Sequence, residues 1–262
     1  MPDYLCPLCQ QTLIYINRQY QCENKHSFDI AKENYVNLLP VQFKHSKNPG
    51  DNKAMVNARR AFLEKGYYQP LVNQLVALFL KHQHHGKVLD AGCGEGFYTH
   101  QHKQDNTNVY GVDIAKEAVK KAAKKYNECH FSVGTLSQLP FTDNYFDWIY
   151  SVYAPILEQE FTRVLALNGF LLTVTPGSKH LVELKDKIYR EAQLHNDDKT
   201  PIKSLNLVSE SQLTYKMEIN EGEDLLNLLS MTPFAFKASE QVKNQLASQN
   251  NFVCTADFKI RV

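Results

Sequence analysis

The spacing of apolar residues changes along the chain and divides it into stretches with different predicted structure. Residues 1–40 lack helical periodicity and are rich in turn residues and isolated aromatics, which predicts a small β-rich module. Apolar residues then recur with helical spacing over 51–66 and again over 71–79. We expect Asp51 to cap the first of these helices and Gly66 to end it.

Beyond residue 86 short apolar runs alternate with stretches of helical spacing. The predicted strands are 87–90, 109–113, 131–133, 146–150, 170–174, 213–219 and 252–261. One predicted helix starts at Tyr98, and four others cover 115–126, 158–166, 179–193 and 222–231. This order predicts an α/β fold with an open parallel sheet, in which a ligand binds at the carboxyl ends of the strands.

The charges are nearly balanced in number but unevenly distributed. The 262 residues include 29 Lys+Arg and 28 Asp+Glu, a net charge of +1 that excludes a protein holding nucleic acid by bulk charge alone. Residues 1–70 hold nine basic against six acidic residues, whereas residues 71–262 hold 20 against 22. A locally positive surface is therefore expected at the front of the chain.

The N-terminal residues and the cysteines predict the cellular compartment of the protein. The first residues lack the basic flank and apolar run of a secretory signal. No stretch approaches about 18 apolar residues, so we expect a cytoplasmic protein with no membrane association. Thiols remain reduced in that compartment, which favours metal binding over disulfides for clustered cysteines.

Three of the six cysteines lie within the first 22 residues and form such a cluster. Two residues separate Cys6 from Cys9, and three separate Cys22 from His26, so each pair lies on a turn tight enough to converge on one ion. A Cys3His set suits one tetrahedral Zn²⁺ with no position left for water, which predicts a structural role. The alternative is three coincidental thiols beside a surface histidine.

The segment DAGCGEG, residues 90–96, follows a predicted strand and opens a predicted helix. Its alternate glycines differ from the G-x-G-x-x-G spacing that seats a pyrophosphate, and Asp90 and Glu95 add negative charge that suits a neutral or cationic ligand. Asp113 ends the next strand, where an acidic residue can hold the two hydroxyls of a ribose. Gly134-Thr135-Leu136 stands where the edge of an adenine would meet backbone groups.

This arrangement, with Gly92 and Gly94 in the loop, resembles the class I S-adenosylmethionine-dependent methyltransferases. The resemblance implies a Rossmann-like methyltransferase core behind a small N-terminal β-rich zinc-binding domain. Two alternatives stay open: an α/β nucleotide-binding domain of another kind, and a relic of the fold that has lost its cofactor.

The zinc module and the glycine loop together narrow the resemblance. The segments HSFDIAKENYVNLLPVQ at 26–42, NPGD at 48–51, ARRAFLEKGYYQPL at 58–71, TPGSKHL at 175–181 and MTPF at 231–234 resemble the RlmA-type 23S rRNA guanine-N1 methyltransferases. The resemblance extends over essentially the whole chain. It implies methylation of N1 of a guanine in a 23S rRNA hairpin loop near the macrolide site, with antibiotic resistance as the outcome in one branch of the family.

Specific residues and parts follow from this resemblance. It implies one structural zinc at Cys6, Cys9, Cys22 and His26, and cofactor contacts from Tyr68, Gly94, Glu95 and His180. The full expected cofactor set is Tyr68, Asp90, Gly92, Gly94, Glu95, Asp113, Leu136 and His180. The expected parts are a zinc-binding RNA-recognition module at 1–40, a linker and bridging helix at 41–70, and the methyltransferase domain at 71–262.

The guanine that accepts the methyl group must also be bound and deprotonated. N1 of guanine carries a proton and lies on the Watson–Crick edge, so the base must be unpaired or flipped and must lose that proton. In this fold the loop after the fourth core strand contacts the acceptor, and we expect Tyr153 to position the base. Glu158 and Asp51 are open candidates for taking the proton. The expected phosphate contacts are Lys44, Lys47, Arg59 and Arg60.

Other assemblies and functions stay open. A homodimer would join two modest basic patches into a wider RNA-binding cleft. The chain could instead methylate tRNA or a small molecule, with the zinc module only capping the core. A third possibility is a non-catalytic RNA-binding factor that keeps S-adenosylmethionine for stability, which the intact Asp90, Asp113 and glycine loop disfavour.

Overall fold

The computed structural model describes residues 2–43, 50–82, 85–189 and 202–262. Lys44 and Lys47, two of the expected phosphate contacts, lie outside the described residues. So does the end of the helix expected over 179–193.

The N-terminal module contains a small antiparallel sheet that packs on the core. Its strands, in the order β1-β2-β3, are β1 (Ile14–Ile16), β2 (Gln19–Gln21) and β3 (Ser27–Asp29). Tyr4 is 1% exposed, and its ring centroid lies 5.2 Å from that of Tyr20 and 5.3 Å from that of Phe141. The backbone N–H of Leu5 donates to the carbonyl oxygen of Pro140 at 2.9 Å. Aromatic packing and this hydrogen bond therefore attach the module to the core of the fold.

An eight-stranded sheet forms that core. Its strands are β4 (Tyr35–Asn37), β5 (Gly86–Ala91), β6 (Thr107–Asp113), β7 (His130–Val133), β8 (Phe146–Val152), β9 (Leu165–Pro176), β10 (Glu210–Ile219) and β11 (Phe252–Arg261). Their order across the sheet is β10-β11-β9-β8-β5-β6-β7-β4. The strands from β4 to β9 pair in parallel, so the loops after β5 to β9 meet at one edge.

The predicted all-parallel sheet is wrong at one side. β11 pairs antiparallel with both β9 and β10, because the last strand inserts between them in the reverse direction. At the opposite side β4 pairs with β7, although it comes from the N-terminal module. The module and the core therefore share one sheet.

Seven α-helices flank the sheet within the described residues. They are α1 (Lys53–Glu64), α2 (Gln69–Lys81), α3 (Lys116–Lys125), α4 (Glu158–Val164), α5 (Val182–Ile188), α6 (Gly222–Ser230) and α7 (Glu240–Ala247). None of these helices has the length and apolar character needed to span a membrane. The structure adds α7, which the apolar pattern does not predict because Leu246 is its one fully buried side chain.

Two local predictions are wrong. Asn52, not Asp51, caps α1, because its side-chain oxygen accepts hydrogen bonds from the N–H groups of Ala54 (2.9 Å) and Met55 (3.0 Å). The helix expected from Tyr98 is a short 3₁₀ turn over Thr99–His102. It stops there because the chain must already enter β6 at Thr107. Gly66, with φ of 82°, follows the end of α1 as predicted.

Candidate functional site

Four side chains of the N-terminal module converge on one point. The ligand atoms of Cys6, Cys9, Cys22 and His26 all lie within 4.8 Å of one another. Nδ1 of His26 is 3.5 Å from Sγ of both Cys6 and Cys22, and Sγ of Cys9 is 3.7 Å from Sγ of Cys22. Zn–S bonds near 2.3 Å and a Zn–N bond near 2.0–2.1 Å place the ligand atoms of a tetrahedral ion roughly 3.6–3.8 Å apart. The spacing fits a zinc ion whose four positions are all taken by protein.

The glycine loop, residues 91–96, meets the neighbouring loops at the carboxyl edge of the sheet. Gly92 and Gly94 have φ of 84° and 52°, in the left-handed region that favours glycine. A Cβ on Gly92 would lie 2.4 Å from Cβ of Ala154 and 3.9 Å from Cδ1 of Leu136. The loops after β7 and β8 therefore close directly on the glycine loop, and Leu136 lies beside it.

Asp113, the last residue of β6, holds the glycine loop through its carboxylate. The N–H of Gly94 donates to Oδ2 at 2.9 Å, and the N–H of Ala115 donates to Oδ1 at 2.7 Å. Burial raises the pKa of Asp113, and the two backbone hydrogen bonds act against that rise. Each carboxylate oxygen keeps a further lone pair, so the group can still accept a ribose hydroxyl.

Asp90, near the end of β5, is a buried acid with one polar partner in the described part of the chain. It is 2% exposed and accepts a hydrogen bond from Oγ1 of Thr99 at 2.7 Å. Burial raises its pKa to about 7, the Thr99 hydrogen bond opposes the rise, and the charge of Asp113 adds to it. A cation at the site would favour the ionised form, so Asp90 suits the cationic end of a ligand.

Both arginines of α1 form ion pairs beside the glycine loop, Arg60 with Glu95 and Arg59 with Asp51. Glu95 is 2% exposed, and its Oε2 accepts from Nε of Arg60 at 2.6 Å. Nη2 of Arg59 lies 2.7 Å from Oδ2 of Asp51, and Nη1 would lie 3.9 Å from a Cβ on Gly94. Both guanidinium groups thus face the loop and already have acidic partners. The phosphate contacts expected for Arg59 and Arg60 stay a prediction.

Tyr153 follows β8 directly and is 43% exposed, with a left-handed backbone at φ of 57°. Its hydroxyl lies 3.2 Å from Nε2 of His180, in the segment after β9. Nδ1 of His180 accepts a hydrogen bond from the backbone N–H of Asp257 at 3.1 Å. A neutral imidazole in this setting carries its proton on Nε2 and donates it to Tyr153. The Tyr153 hydroxyl proton is then available to a further acceptor.

Tyr68 lies in the same aromatic cluster as these two residues. The ring centroid of Phe258 is 5.1 Å from those of Tyr68 and His180, and 6.1 Å from that of Tyr153. Tyr68 is 2% exposed, and burial raises its pKa well above the usual value. The structure thus brings three predicted site residues around one phenylalanine, with Tyr68 as the buried member.

Both candidate proton acceptors named from the sequence are already engaged. Glu158 accepts hydrogen bonds from the backbone N–H of Ser204, at 2.8 Å, and from its hydroxyl, and these bonds lower the pKa of Glu158. Asp51 is paired with Arg59. These contacts disfavour either carboxylate as the base.

Asp257 is a site residue that the sequence interpretation misses. It is completely buried, and its carboxylate accepts from the side chains of Gln212 and Thr214, each at 2.7 Å, and from the N–H of Lys179 at 2.9 Å. Burial opposes its ionisation, but these hydrogen bonds outweigh burial and hold its pKa below the usual value. Asp257 therefore fixes the segment that carries His180. The one acidic residue in the strand FVCTADFKI is the sequence signal that could reveal it.

Comparisons with known proteins match two regions of the chain to families and the chain to several relatives. Residues 4–47 match the N-terminal zinc ribbon of RlmA, and residues 88–169 match a methyltransferase domain. The 23S rRNA (guanine(748)-N(1))-methyltransferase of Streptomyces fradiae is 34% identical over 70% of this chain and 66% of its own length. A Micromonospora griseorubida protein, provisionally named a 23S rRNA (guanine-N1)-methyltransferase, is 32% identical over 72% of this chain and 70% of its own length. The Bacillus subtilis protein YxjB has the same provisional name and is 26% identical over 99% of this chain and 96% of its own length.

These matches agree with the geometry at both sites. The methyltransferase match and the glycine loop with its two acids identify S-adenosylmethionine as the cofactor. The zinc-ribbon match and the four converging ligands identify a structural zinc site.

Proposed function

Since the chain belongs to the family of 23S rRNA (guanine-N1)-methyltransferases, we propose that it methylates N1 of a guanine in a hairpin loop of 23S rRNA near the macrolide site. The observation that carries the proposal is Tyr153, a half-exposed tyrosine beside the glycine loop whose hydroxyl is oriented by His180. An unpaired base can reach such a side chain, because it lies at the open carboxyl edge of the sheet.

The cofactor site would be formed by this chain's own acids and glycines. Asp90 would face the cationic end of S-adenosylmethionine, Asp113 its ribose, and Leu136 its adenine, with Gly92 and Gly94 allowing close backbone approach. When bound, S-adenosylmethionine supplies an electrophilic methyl group on a sulfonium. Holding two reactants in line contributes roughly 7–11 kcal/mol in favourable cases, so positioning is the main task of these residues.

Tyr153 acts as a hydrogen-bond donor to the acceptor base. Burial raises its pKa well above the usual value, so the phenol keeps its proton at neutral pH. Its oxygen accepts from Nε2 of His180, which leaves its own O–H to donate to O6 of the guanine. Negative charge grows on O6 as N1 loses its proton. A donor aimed at that oxygen stabilises the charge and makes N1 a better nucleophile.

We further propose that the module at 1–40 contacts the RNA loop. Tyr15 is 38% exposed between Ile14 and Ile16, which are 56% and 41% exposed, and Arg18 follows in the turn after β1. Unpaired RNA bases stack on exposed aromatic rings and arginine planes. The zinc ion would hold this strand rigid.

A homodimer would present two of these RNA-contacting surfaces. Sedimentation velocity at micromolar concentration tests for the homodimer.

Primer extension on 23S rRNA from cells with and without the gene tests the proposed function. N1-methylguanine blocks Watson–Crick pairing and so stops reverse transcriptase. We expect one stop in a hairpin loop near the macrolide site to vanish on deletion and to return with the wild-type gene. Persistence of every such stop, or loss of a methyl group from tRNA instead, contradicts the proposal and favours another substrate.

A further inference from the structure

Helix α1 lies over the glycine loop and carries two adjacent arginines whose surroundings differ. Arg60 is taken up by the protein, because its Nε contacts Glu95 at 2.6 Å and its Nη2 donates to the carbonyl oxygen of Lys121 at 3.3 Å. Arg59 is placed over Gly94, where a Cβ would lie 3.9 Å from Nη1. The two guanidinium groups lie on the same helix but therefore differ in whether a ligand at the glycine loop can contact them.

The donors of Arg59 are only partly used. Its Nη2 contacts Oδ2 of Asp51 at 2.7 Å and the carbonyl oxygen of Met231 at 3.4 Å. Its Nε is buried and has no acceptor among the described residues. Nη1, the nitrogen that lies near Gly94, has no acceptor among the described residues either. The side chain is 32% exposed, so an acceptor brought by a ligand can contact the guanidinium at Nη1, although not at the buried Nε.

The charges around the loop indicate which part of a ligand Arg59 would meet. Asp90 and Asp113 are acids that suit an ammonium group and ribose hydroxyls. The amino-acid end of S-adenosylmethionine also carries a carboxylate, which needs a cation. With Arg60 held by Glu95, Arg59 is the arginine of α1 whose unused Nη1 faces Gly94 within the described residues.

We propose that Arg59 binds the α-carboxylate of the cofactor's methionine moiety, with Nη1–H as donor and Asp51 orienting the guanidinium through Nη2. The proposal rests on S-adenosylmethionine as the cofactor of the proposed function. It does not depend on which nucleic acid accepts the methyl group. It also assigns to the cofactor an arginine that its sequence position suggests for phosphate contact.

Calorimetric titration of the purified full chain with two ligands tests this assignment. S-adenosylmethionine and decarboxylated S-adenosylmethionine differ only in the carboxylate. Hydrogen bonds to charged groups predict that Arg59→Gln weakens S-adenosylmethionine binding by roughly 10- to 100-fold. Binding of the decarboxylated analogue should change less than about twofold, since it has no carboxylate to lose.

Two further variants keep the test decisive. Lys53→Gln removes a positive charge from an exposed position on the same helix and should leave both affinities unchanged. Arg59→Lys keeps the charge without the planar guanidinium donors and should weaken S-adenosylmethionine binding selectively, which covers the case in which Arg59→Gln does not fold.

The outcomes separate this proposal from the proposed function. Equal weakening of both ligands, or no weakening of either, overturns the role of Arg59 while leaving rRNA methylation to be judged by primer extension. If Arg59→Gln weakens RNA binding but leaves cofactor binding unchanged, the proposal is also overturned, and Arg59 is instead a phosphate contact. A wild-type protein that binds neither ligand overturns both the proposal and its cofactor.

Discussion

The hydroxyl of Tyr153 and Nε2 of His180 lie 3.2 Å apart, and this contact joins the loop after β8 to the segment after β9. The imidazole is held from behind by the backbone N–H of Asp257 on β11. Three neighbouring strands thus fix the direction in which the hydroxyl of Tyr153 donates. The left-handed backbone of Tyr153 (φ 57°) is an additional sign of a functional position, because such strain persists only where the surroundings enforce it.

Removing the Tyr153 hydroxyl should slow methyl transfer without weakening cofactor binding. Loss of one donor to a developing oxyanion costs about 10²–10³ in kcat at its strongest. For the partly exposed side chain of Tyr153 we expect Tyr153→Phe to lower kcat by roughly 10- to 100-fold. Single-turnover kinetics and calorimetry with S-adenosylhomocysteine separate the two effects. Full activity in Tyr153→Phe would exclude the hydroxyl as the donor.

His180→Ala should reproduce part of this loss, because the phenol then loses its orienting partner. Single-turnover rates of Tyr153→Phe, His180→Ala and the double variant distinguish orientation from packing. If His180 acts through the Tyr153 hydroxyl, we expect the double variant to be no slower than Tyr153→Phe alone. Losses that simply multiply argue for a packing role alone.

The order of strands and helices can be predicted from the sequence because it depends on local periodicity. The glycine loop can be predicted because its residues are contiguous in sequence. Contacts between distant segments cannot be predicted in this way. The contact between Tyr153 and His180 spans 27 residues and arises from the adjacency of β8 and β9. Apolar spacing also does not reveal that β4 leaves the zinc module and joins the core sheet.

The same limit applies to charged side chains. Sequence shows that Arg59 and Arg60 are neighbours on a helix but not that both point at the glycine loop. Asp51 and Asn52 are both good caps, and the ion pair between Asp51 and Arg59 leaves the cap to Asn52. Long-range partners therefore decide the roles that local pattern leaves open.

Asp90→Asn should stabilise the protein at neutral pH while removing cofactor binding. The folded-state pKa of Asp90 is about 7, above the unfolded value near 3.9, so the folded chain binds more protons between these values. Stability from this group is therefore greatest at low pH and falls as pH rises towards 7. We expect a gain of roughly 2–4 kcal/mol for the variant at pH 8, nearly absent at pH 4.

Urea unfolding at several pH values measures that difference. Thr99→Val is a matched control, because it removes the hydrogen bond to Asp90 without removing the carboxyl group, and should raise the pKa of Asp90 further. A gain for Asp90→Asn that is the same at pH 4 and pH 8 would show that ionisation is not its source.

The ion pair between Arg60 and Glu95 should matter far more than surface pairs. Arg60→Gln leaves Glu95, which is 2% exposed, without its charged partner, and we expect a loss of about 3–5 kcal/mol in the free energy of unfolding. Adding Glu95→Gln should recover much of it. Lys125→Gln, which removes the exposed pair with Glu64, is the control and should cost about 1 kcal/mol or less. Equal losses in Arg60→Gln and the control would show that the pair is not buried in solution.

Zinc should be required for the N-terminal module but not for the cofactor site. Cys22→Ser removes one of four ligands, so we expect loss of metal, a lower melting temperature and weaker RNA binding, with S-adenosylmethionine binding retained. Cys129→Ser changes a buried thiol outside the cluster and should keep one zinc per chain. Metal analysis that finds no zinc in the wild type, or normal metal binding by Cys22→Ser, contradicts the site.

Methyl transfer to one guanine of 23S rRNA is measured most directly with purified protein, labelled S-adenosylmethionine and 23S rRNA lacking the modification. After digestion to nucleosides, we expect the label in 1-methylguanosine, together with one new reverse-transcription stop in a hairpin loop near the macrolide site. Label in a different nucleoside, or transfer to tRNA but not to 23S rRNA, would contradict the assignment.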